Sequence, residues 1–307
     1  MGKRNLVSAV DFSAEEVWAL FRLAAAMKAD PSAYSEALKC HTAALVFEKP
    51  SLRTRVTFEV GMFSMGGHAI YLAPGDIRIG ERESVEDVAR NLERWVQVIV
   101  ARTFAHETVV CLAQNAVIPV INALSDAEHP CQALADLFTL YEKWGDTRER
   151  KLAYVGDGNN TCVSLLLLVS GLGGKIAVAT PTDFAPPVSV VENAKRRASQ
   201  SGAEIALMED PREAVRGADA VYTDTWVSMG QEEEKEERLR VFHRYQVNRE
   251  LMEEAAEDAV FMHCLPAYRG EEVTDDVIDG PQSLVFDQAE NRLHIQKAIL
   301  HTLMLGK

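Results

Sequence analysis

Short apolar runs alternate with helical patterns along almost the whole chain, and that alternation restricts the fold to the α/β class. In the first half the strand-like runs lie at 43–47, 69–72, 96–101 and 117–122. Apolar spacing predicts helices at about 14–29, 52–66, 84–94, 106–115 and 130–144. The second half continues with runs at 152–155, 176–179, 204–208, 220–223, 260–263 and 284–286. The stretch 144–151, polar after its opening tryptophan, marks a boundary between a helix end and a fresh strand. The expectation is two domains, 1–146 and 147–307. Each has a parallel sheet flanked by helices, the active site lies in the cleft between them, and the C-terminal helix packs back on the first domain.

Open parallel sheets bind ligands beyond the carboxyl ends of their strands. Polar clusters recur at that location here. Ser51-Leu52-Arg53-Thr54-Arg55 follows the first run and opens a helix, a combination of hydroxyls, free backbone N–H groups and guanidinium groups that suits a small dense anion such as phosphate. Arg102 follows the third run, and His129-Pro130-Cys131-Gln132 follows the fourth. Any one arginine is as readily explained by a structural ion pair. Arg53, Arg55 and Arg102 together at strand ends favour a polyanion site. His129 stands at a helix entrance, where an imidazole can donate to a carbonyl oxygen, and Pro130 suits the first helical turn. Cys131 reads as packing.

Gly156-Asp157-Gly158-Asn159-Asn160 joins a strand to an apolar helix. A dinucleotide loop is the obvious rival. Thr161 replaces the third glycine, and the next strand ends in Thr180-Pro181-Thr182 instead of a ribose-binding acid, so a nicotinamide site is disfavoured. Asp224-Thr225-Trp226-Val227-Ser228-Met229-Gly230 offers an anion and a hydroxyl, although a capped turn would explain it alone. His263-Cys264-Leu265-Pro266 places a cysteine at a strand end beside a histidine, where it can be reactive. The charged run 231–238 reads as a solvated loop or helix start, with a moving flap as the minority reading.

A net charge of −14, from 32 basic and 46 acidic residues, argues against nucleic acid as the main partner. Five cysteines, an odd number with no Cys-x-x-Cys pair, argue against a disulfide framework or structural zinc. The N-terminal residues lack the apolar stretch of a secretory leader, and no apolar run reaches membrane-spanning length. A cytoplasmic protein without a membrane partner is expected.

Taken together, the segments 51–55, 129–132, 224–230 and 263–266 resemble the carbamoyltransferases, in order and over nearly the whole chain, ending with Asn291-Arg292. Asp224-x-x-x-Ser228-Met229-Gly230 with His263-Cys264-Leu265-Pro266 is similar to the ornithine-specific branch; aspartate enzymes have proline in place of Cys264. The resemblance implies a carbamoyl phosphate site of Ser51, Leu52, Arg53, Thr54, Arg78, Arg102, His129, Pro130, Cys131, Gln132, Cys264, Leu265 and Arg292. Arg78 stands where the family commonly has glutamine. It also implies an ornithine site of Asn160, Asp224, Ser228 and Met229, with Cys264, Asp224, His129 and Arg102 as the catalytic groups. No metal or organic cofactor is implied, and the family is usually a homotrimer or an assembly of trimers. Alternatives are transfer to putrescine, N-acylornithine or aspartate, or a non-catalytic anion-binding relative.

Overall fold

The computed structural model of the chain describes residues 3–77, 79–228, 230 and 232–306. Arg78 and Met229 therefore lie outside the described residues. The chain divides into two compact units, Met1–Phe138 with Glu290–Lys307, and Thr139–Ala289.

In the first unit the elements run α1 (Ala14–Ala29), β1 (Thr42–Phe47), α2 (Leu52–Ser64), β2 (His68–Leu72), α3 (Val85–Leu92), β3 (Val98–Arg102), α4 (His106–Asn115), β4 (Val120–Leu124) and the start of α5 (Pro130–Trp144). The strands form one parallel sheet in the order β2-β1-β3-β4. β1 and β3 are buried along almost their full length, which is why they read as continuous apolar runs and not as alternating ones. Helix starts carry side-chain caps: Ser13 takes part in a capping box with Glu16, and Ser84 accepts from the Asp87 backbone N–H.

In the second unit the order is β5 (Lys151–Val155), α6 (Asn160–Leu172), β6 (Lys175–Ala179), α7 (Val188–Ser201), β7 (Glu204–Met208), α8 (Pro211–Val215), β8 (Ala220–Thr223), α9 (Lys235–Phe242), α10 (Arg249–Met252), β9 (Val260–His263), α11 (Asp275–Ile278) and the start of α12 (Val285–Leu305), which from Glu290 onward belongs to the first unit. Its sheet is also parallel throughout, ordered β7-β6-β5-β8-β9. Helix α6 is buried on nearly every face, which accounts for its all-round apolar sequence. Tyr154 and Tyr222 stack across β5 and β8 with ring centroids 5.6 Å apart.

Each sheet reverses its strand order once, between β1 and β3 in the first unit and between β5 and β8 in the second. Chain leaving those adjacent strands turns to opposite faces, and the resulting crevice is where open α/β sheets hold ligands. The segments after β1 and β5, Arg102 at the end of β3, and Asp224 after β8 all stand there.

The run 284–286 is not a strand. Ser283 makes a single bridge to Phe261 and the Leu284 N–H donates to the Phe261 carbonyl, after which α12 begins at Val285. Three apolar residues cannot distinguish a strand from a helix start. The fourth strand begins at Val120 instead of 117, because Val117 is exposed and Pro119 precedes the ladder.

Candidate active site

The first unit concentrates its polar side chains around the β1–β3 crevice. Ser51 has extended backbone angles and caps α2, its hydroxyl accepting from the Thr54 N–H at 3.3 Å. The N-terminal turn of a helix is a favourable place for an anion. Thr54 is fully buried, and its Oγ1 accepts from Arg292 Nη2 at 2.8 Å. Arg292 Nη1 donates to Gln132 Oε1 at 2.7 Å. One guanidinium thus ties the start of α2 to the start of α5. Arg102 ends β3 and is 6% exposed; Arg53 is half-buried on the first turn of α2. Arg55 goes elsewhere: it pairs with Glu59 at 2.9 Å and lies over the Tyr71 ring. Of the two arginines in the 51–55 segment, only Arg53 stays with the cluster.

His129 is buried at the entrance to α5. Burial, and then the charges of Arg292, Arg102, Arg53 and Lys49, hold its pKa well below the ordinary histidine value of 6.5. The imidazole is therefore neutral at pH 7, and a neutral ring can still donate one N–H. The turn before it is fixed by Glu128, which accepts from Ser8 Oγ and from the Ala9 N–H. Cys131 is fully buried, donates to the Asn122 carbonyl at 3.4 Å, and has its pKa pushed up to about 12 by burial. It is a packing thiol. Lys49 is a residue that sequence reasoning missed. It is 8% exposed, sits over the Phe104 ring at 4.6 Å, and burial followed by the Arg102 charge lowers its pKa. Its place two residues after a buried strand was the available signal.

The second unit is acidic where the first is basic. Asp224 is 6% exposed after β8. Its Oδ1 accepts from the Cys264 thiol at 3.0 Å and the Thr225 N–H at 2.8 Å, while Oδ2 accepts from Asn159 Nδ2 at 2.9 Å. Asn159 is spent within the protein. Its Oδ1 caps α6 by accepting from the Thr161 and Cys162 N–H groups, so the amide has one orientation and must donate to Asp224. Asn160 opens α6 beside it and Ser228 is half-buried. A Cβ on Gly158 would lie 2.5 Å from the Phe184 carbonyl oxygen and the Pro186 nitrogen, so this glycine is needed for close packing against the 184–186 segment.

Leu265, in the positive-φ region at 57°, is held by His263. The Leu265 N–H must donate, so His263 Nδ1 accepts at 2.9 Å, and Nε2–H points to Glu272 Oε1 at 3.1 Å. His263 and Glu272 are both fully buried. Asp224, His263 and Cys264 also offer ligand atoms within 4.8 Å of one another. Both His263 nitrogens are engaged in hydrogen bonds, so this group reads as a positioning network and not a metal cage.

The charged run 231–238 is not solvated throughout. Arg238 is buried, pairing with Asp157 at 2.9 Å and Glu234 at 2.8 Å and donating to the Trp226 carbonyl at 3.0 Å. Burial pushes Asp157 up to about 6, against the opposing pull of Arg238.

The neutral state of His129 has a measurable consequence. The unfolded chain binds a proton at this position below about pH 6.5, whereas the folded chain resists it, so this residue's contribution to stability is lost as pH falls below that value. Denaturant unfolding of the wild type and His129→Asn between pH 5 and 8 should show a stability gap that is level above about pH 7. Below about 6.5 it should shift against the wild type by up to roughly 1.4 kcal/mol per pH unit. A gap that stays level through pH 5 contradicts a neutral buried imidazole.

The chain is similar to known proteins over its whole length. Residues 4–142 match the family described as aspartate/ornithine carbamoyltransferase, carbamoyl-P binding domain, and residues 148–303 match its Asp/Orn binding domain. It is 49% identical to a protein named ornithine carbamoyltransferase from Pyrococcus horikoshii, over 99% of this chain and 96% of that one. The solved ornithine carbamoyltransferase of Pyrococcus furiosus superposes with a TM-score of 0.96 at 48% identity, covering 100% of this chain and 98% of that one. The Thermus thermophilus structure gives 0.87 at 48% identity, with 98% of each chain covered. With both family descriptions matched and relatives this similar from end to end, the chain belongs to the aspartate/ornithine carbamoyltransferase family.

Proposed function

We propose that this chain transfers the carbamoyl group of carbamoyl phosphate to the δ-amine of L-ornithine, giving L-citrulline and phosphate, a step of arginine biosynthesis. The observation that carries the reading is the opposite electrostatic character of the two crevices: cations around a neutral histidine in the first unit, and a carboxylate bonded to a thiol in the second.

The donor is assigned to the first unit. Ser51, Leu52, Arg53 and Thr54 receive the phosphate with backbone and side-chain donors, joined by Arg102 and Arg292. His129, Thr54 and Arg102 donate to the carbonyl oxygen as negative charge develops on it. Gln132 accepts from the carbamoyl NH₂, while Pro130 and Cys131 shape the helix start that presents it. Cys264 and Leu265 are further candidates for the carbamoyl group. Arg78, outside the described residues, is an additional candidate for the phosphate.

The acceptor is assigned to Asn160, Asp224, Ser228 and Met229, the last also outside the described residues. Ornithine carries a δ-ammonium with a reference pKa near about 10.4, like lysine, so it must lose a proton before attack. Asp224 attracts it and Cys264 helps position or deprotonate it. The amine nitrogen then attacks the carbonyl carbon, the new C–N bond forms, the C–O bond to phosphate breaks, and phosphate leaves. Asp157 lies in the same turn as Asn160, and Arg238 is already committed to Asp157 and Glu234. That balance suits a cationic acceptor over aspartate, whose second carboxylate would need basic residues.

The chain is assigned to a homotrimer or an assembly of trimers. Leu52, Val56, Val60 and Phe63 are 73%, 45%, 43% and 81% exposed, and their spacing puts them along one face of α2, close in sequence to exposed Ile70 on the edge strand β2. A second copy of the chain is the occupant proposed for that stripe. No described helix is long and apolar enough to cross a membrane, and we place the protein in the cytoplasm.

Purified protein given carbamoyl phosphate and a panel of ornithine, putrescine, N-acetylornithine and aspartate should form a ureido product with ornithine; a different preferred amine overturns the acceptor assignment. Arg53→Ala should weaken carbamoyl phosphate binding about tenfold or more, the size of a lost charge-assisted hydrogen bond, and near-normal binding would remove Arg53 from the phosphate site. Asp224→Ala should raise the KM for ornithine far more than that for carbamoyl phosphate, and equal losses would sink its role. Light scattering should report a trimer or a multiple of it for the wild type and a smaller species for Phe63→Glu; an unchanged mass for that variant would move the interface off α2.

A further inference from the structure

Buried in the first unit, one residue outside the assigned machinery decides which way a substrate-facing amide points. Gln132 is 1% exposed and its carboxamide is held at both ends. Oε1 accepts from Arg292 Nη1 at 2.7 Å, and Nε2 donates to Asp136 Oδ1 at 2.7 Å. Asp136, itself 1% exposed, stands four residues further along α5 and therefore on the same helix face. A guanidinium only donates and a carboxylate only accepts. Turning the amide over would set donor against donor and acceptor against acceptor, in a place where water cannot repair the mismatch.

The Gln132 oxygen has a second lone pair beyond the one given to Arg292. The fixed orientation therefore offers an acceptor to whatever occupies the space beside His129. A carbamoyl group brings an N–H₂ to meet it. An acetyl group of the same shape brings a methyl and leaves the buried oxygen unpaired. Sites built to hydrogen-bond a substrate N–H or O–H reject the analogue that lacks it far more strongly than apolar pockets reject a size mismatch.

We propose that Asp136 is a specificity-determining positioning residue: by locking the Gln132 amide it makes the donor site select acyl phosphates that carry an amino group over those that carry an alkyl group. The inference rests on the proposed contact between Gln132 and the carbamoyl group. Asp136 acts through Gln132 and has no assigned contact with either substrate. Arg292 could not be tested in the same way, because it also holds Thr54.

The test compares acetyl phosphate, as a competitive inhibitor, with carbamoyl phosphate, as substrate. The quantity read is the ratio of the acetyl phosphate inhibition constant to the carbamoyl phosphate KM, for the full-length wild type, Gln132→Met, Asp136→Leu and Asp136→Ala. The wild-type ratio should be about a hundred or more. Gln132→Met should bring it down at least tenfold, and a wild-type ratio near one or an unchanged ratio in this variant removes the Gln132 contact itself. Asp136→Leu should also lower the ratio at least tenfold while leaving the ornithine KM within twofold. Asp136→Ala serves the same purpose if the leucine variant does not fold. A ratio that falls in Gln132→Met and stays at the wild-type value in a folded Asp136 variant overturns the proposal while leaving the Gln132 contact standing.

Discussion

The buried guanidinium of Arg292 is the interaction on which the first unit's chemistry depends. It is 3% exposed and bridges Thr54 on α2 to Gln132 on α5, from a position on α12. Three helices far apart in sequence are thereby registered at one end of the sheet. A buried cation is expensive unless its hydrogen bonds are met, and a hydroxyl and an amide oxygen meet two of them here. Its charge is felt at His129. Burial, and then that charge, keep His129 neutral, which leaves it one ring N–H to donate.

The second unit solves the complementary problem. Asp224 stands buried in the β5–β8 crevice, with the Cys264 thiol, the Thr225 N–H and the Asn159 amide as donors. Its support is built from residues that do no chemistry: Asn159 is oriented by the α6 N-terminus, and His263 with Glu272 sets the backbone on which Cys264 and Leu265 stand. Two parallel sheets with the same kind of switch point thus carry opposite electrostatics. Fold geometry provides the crevice in each, and the side chains at strand ends decide what enters it.

Much of this was legible in the sequence, and the part that was not has a common cause. Buried parallel strands leave continuous apolar runs, so β1, β3, β5 and β8 could be read within a few residues. Polar segments after them located the crevices. The run 284–286 failed because it is too short to carry a period. Partnerships were hidden as well. Arg53 remains with the cluster, whereas Arg55 turns to Glu59 one helical turn on and to Tyr71 on β2. Lys49, Asn159, Asp136, Glu272 and Arg238 matter through neighbours that are, in most cases, tens of residues away or fixed only once a helix has formed. A pattern of residue types shows where chemistry can occur, and contacts across the fold determine which groups remain available for it.

In the proposed function the Arg292-centred cluster is a preformed site for carbamoyl phosphate. Calorimetric titration of carbamoyl phosphate into the protein without ornithine tests it most directly. Binding to the wild type should be saturable and weaken as salt is raised, and folded Arg292→Leu should bind at least about tenfold more weakly, as expected for loss of charge-assisted hydrogen bonds. Undiminished binding to that variant, or no binding to the wild type until ornithine is added, would contradict it.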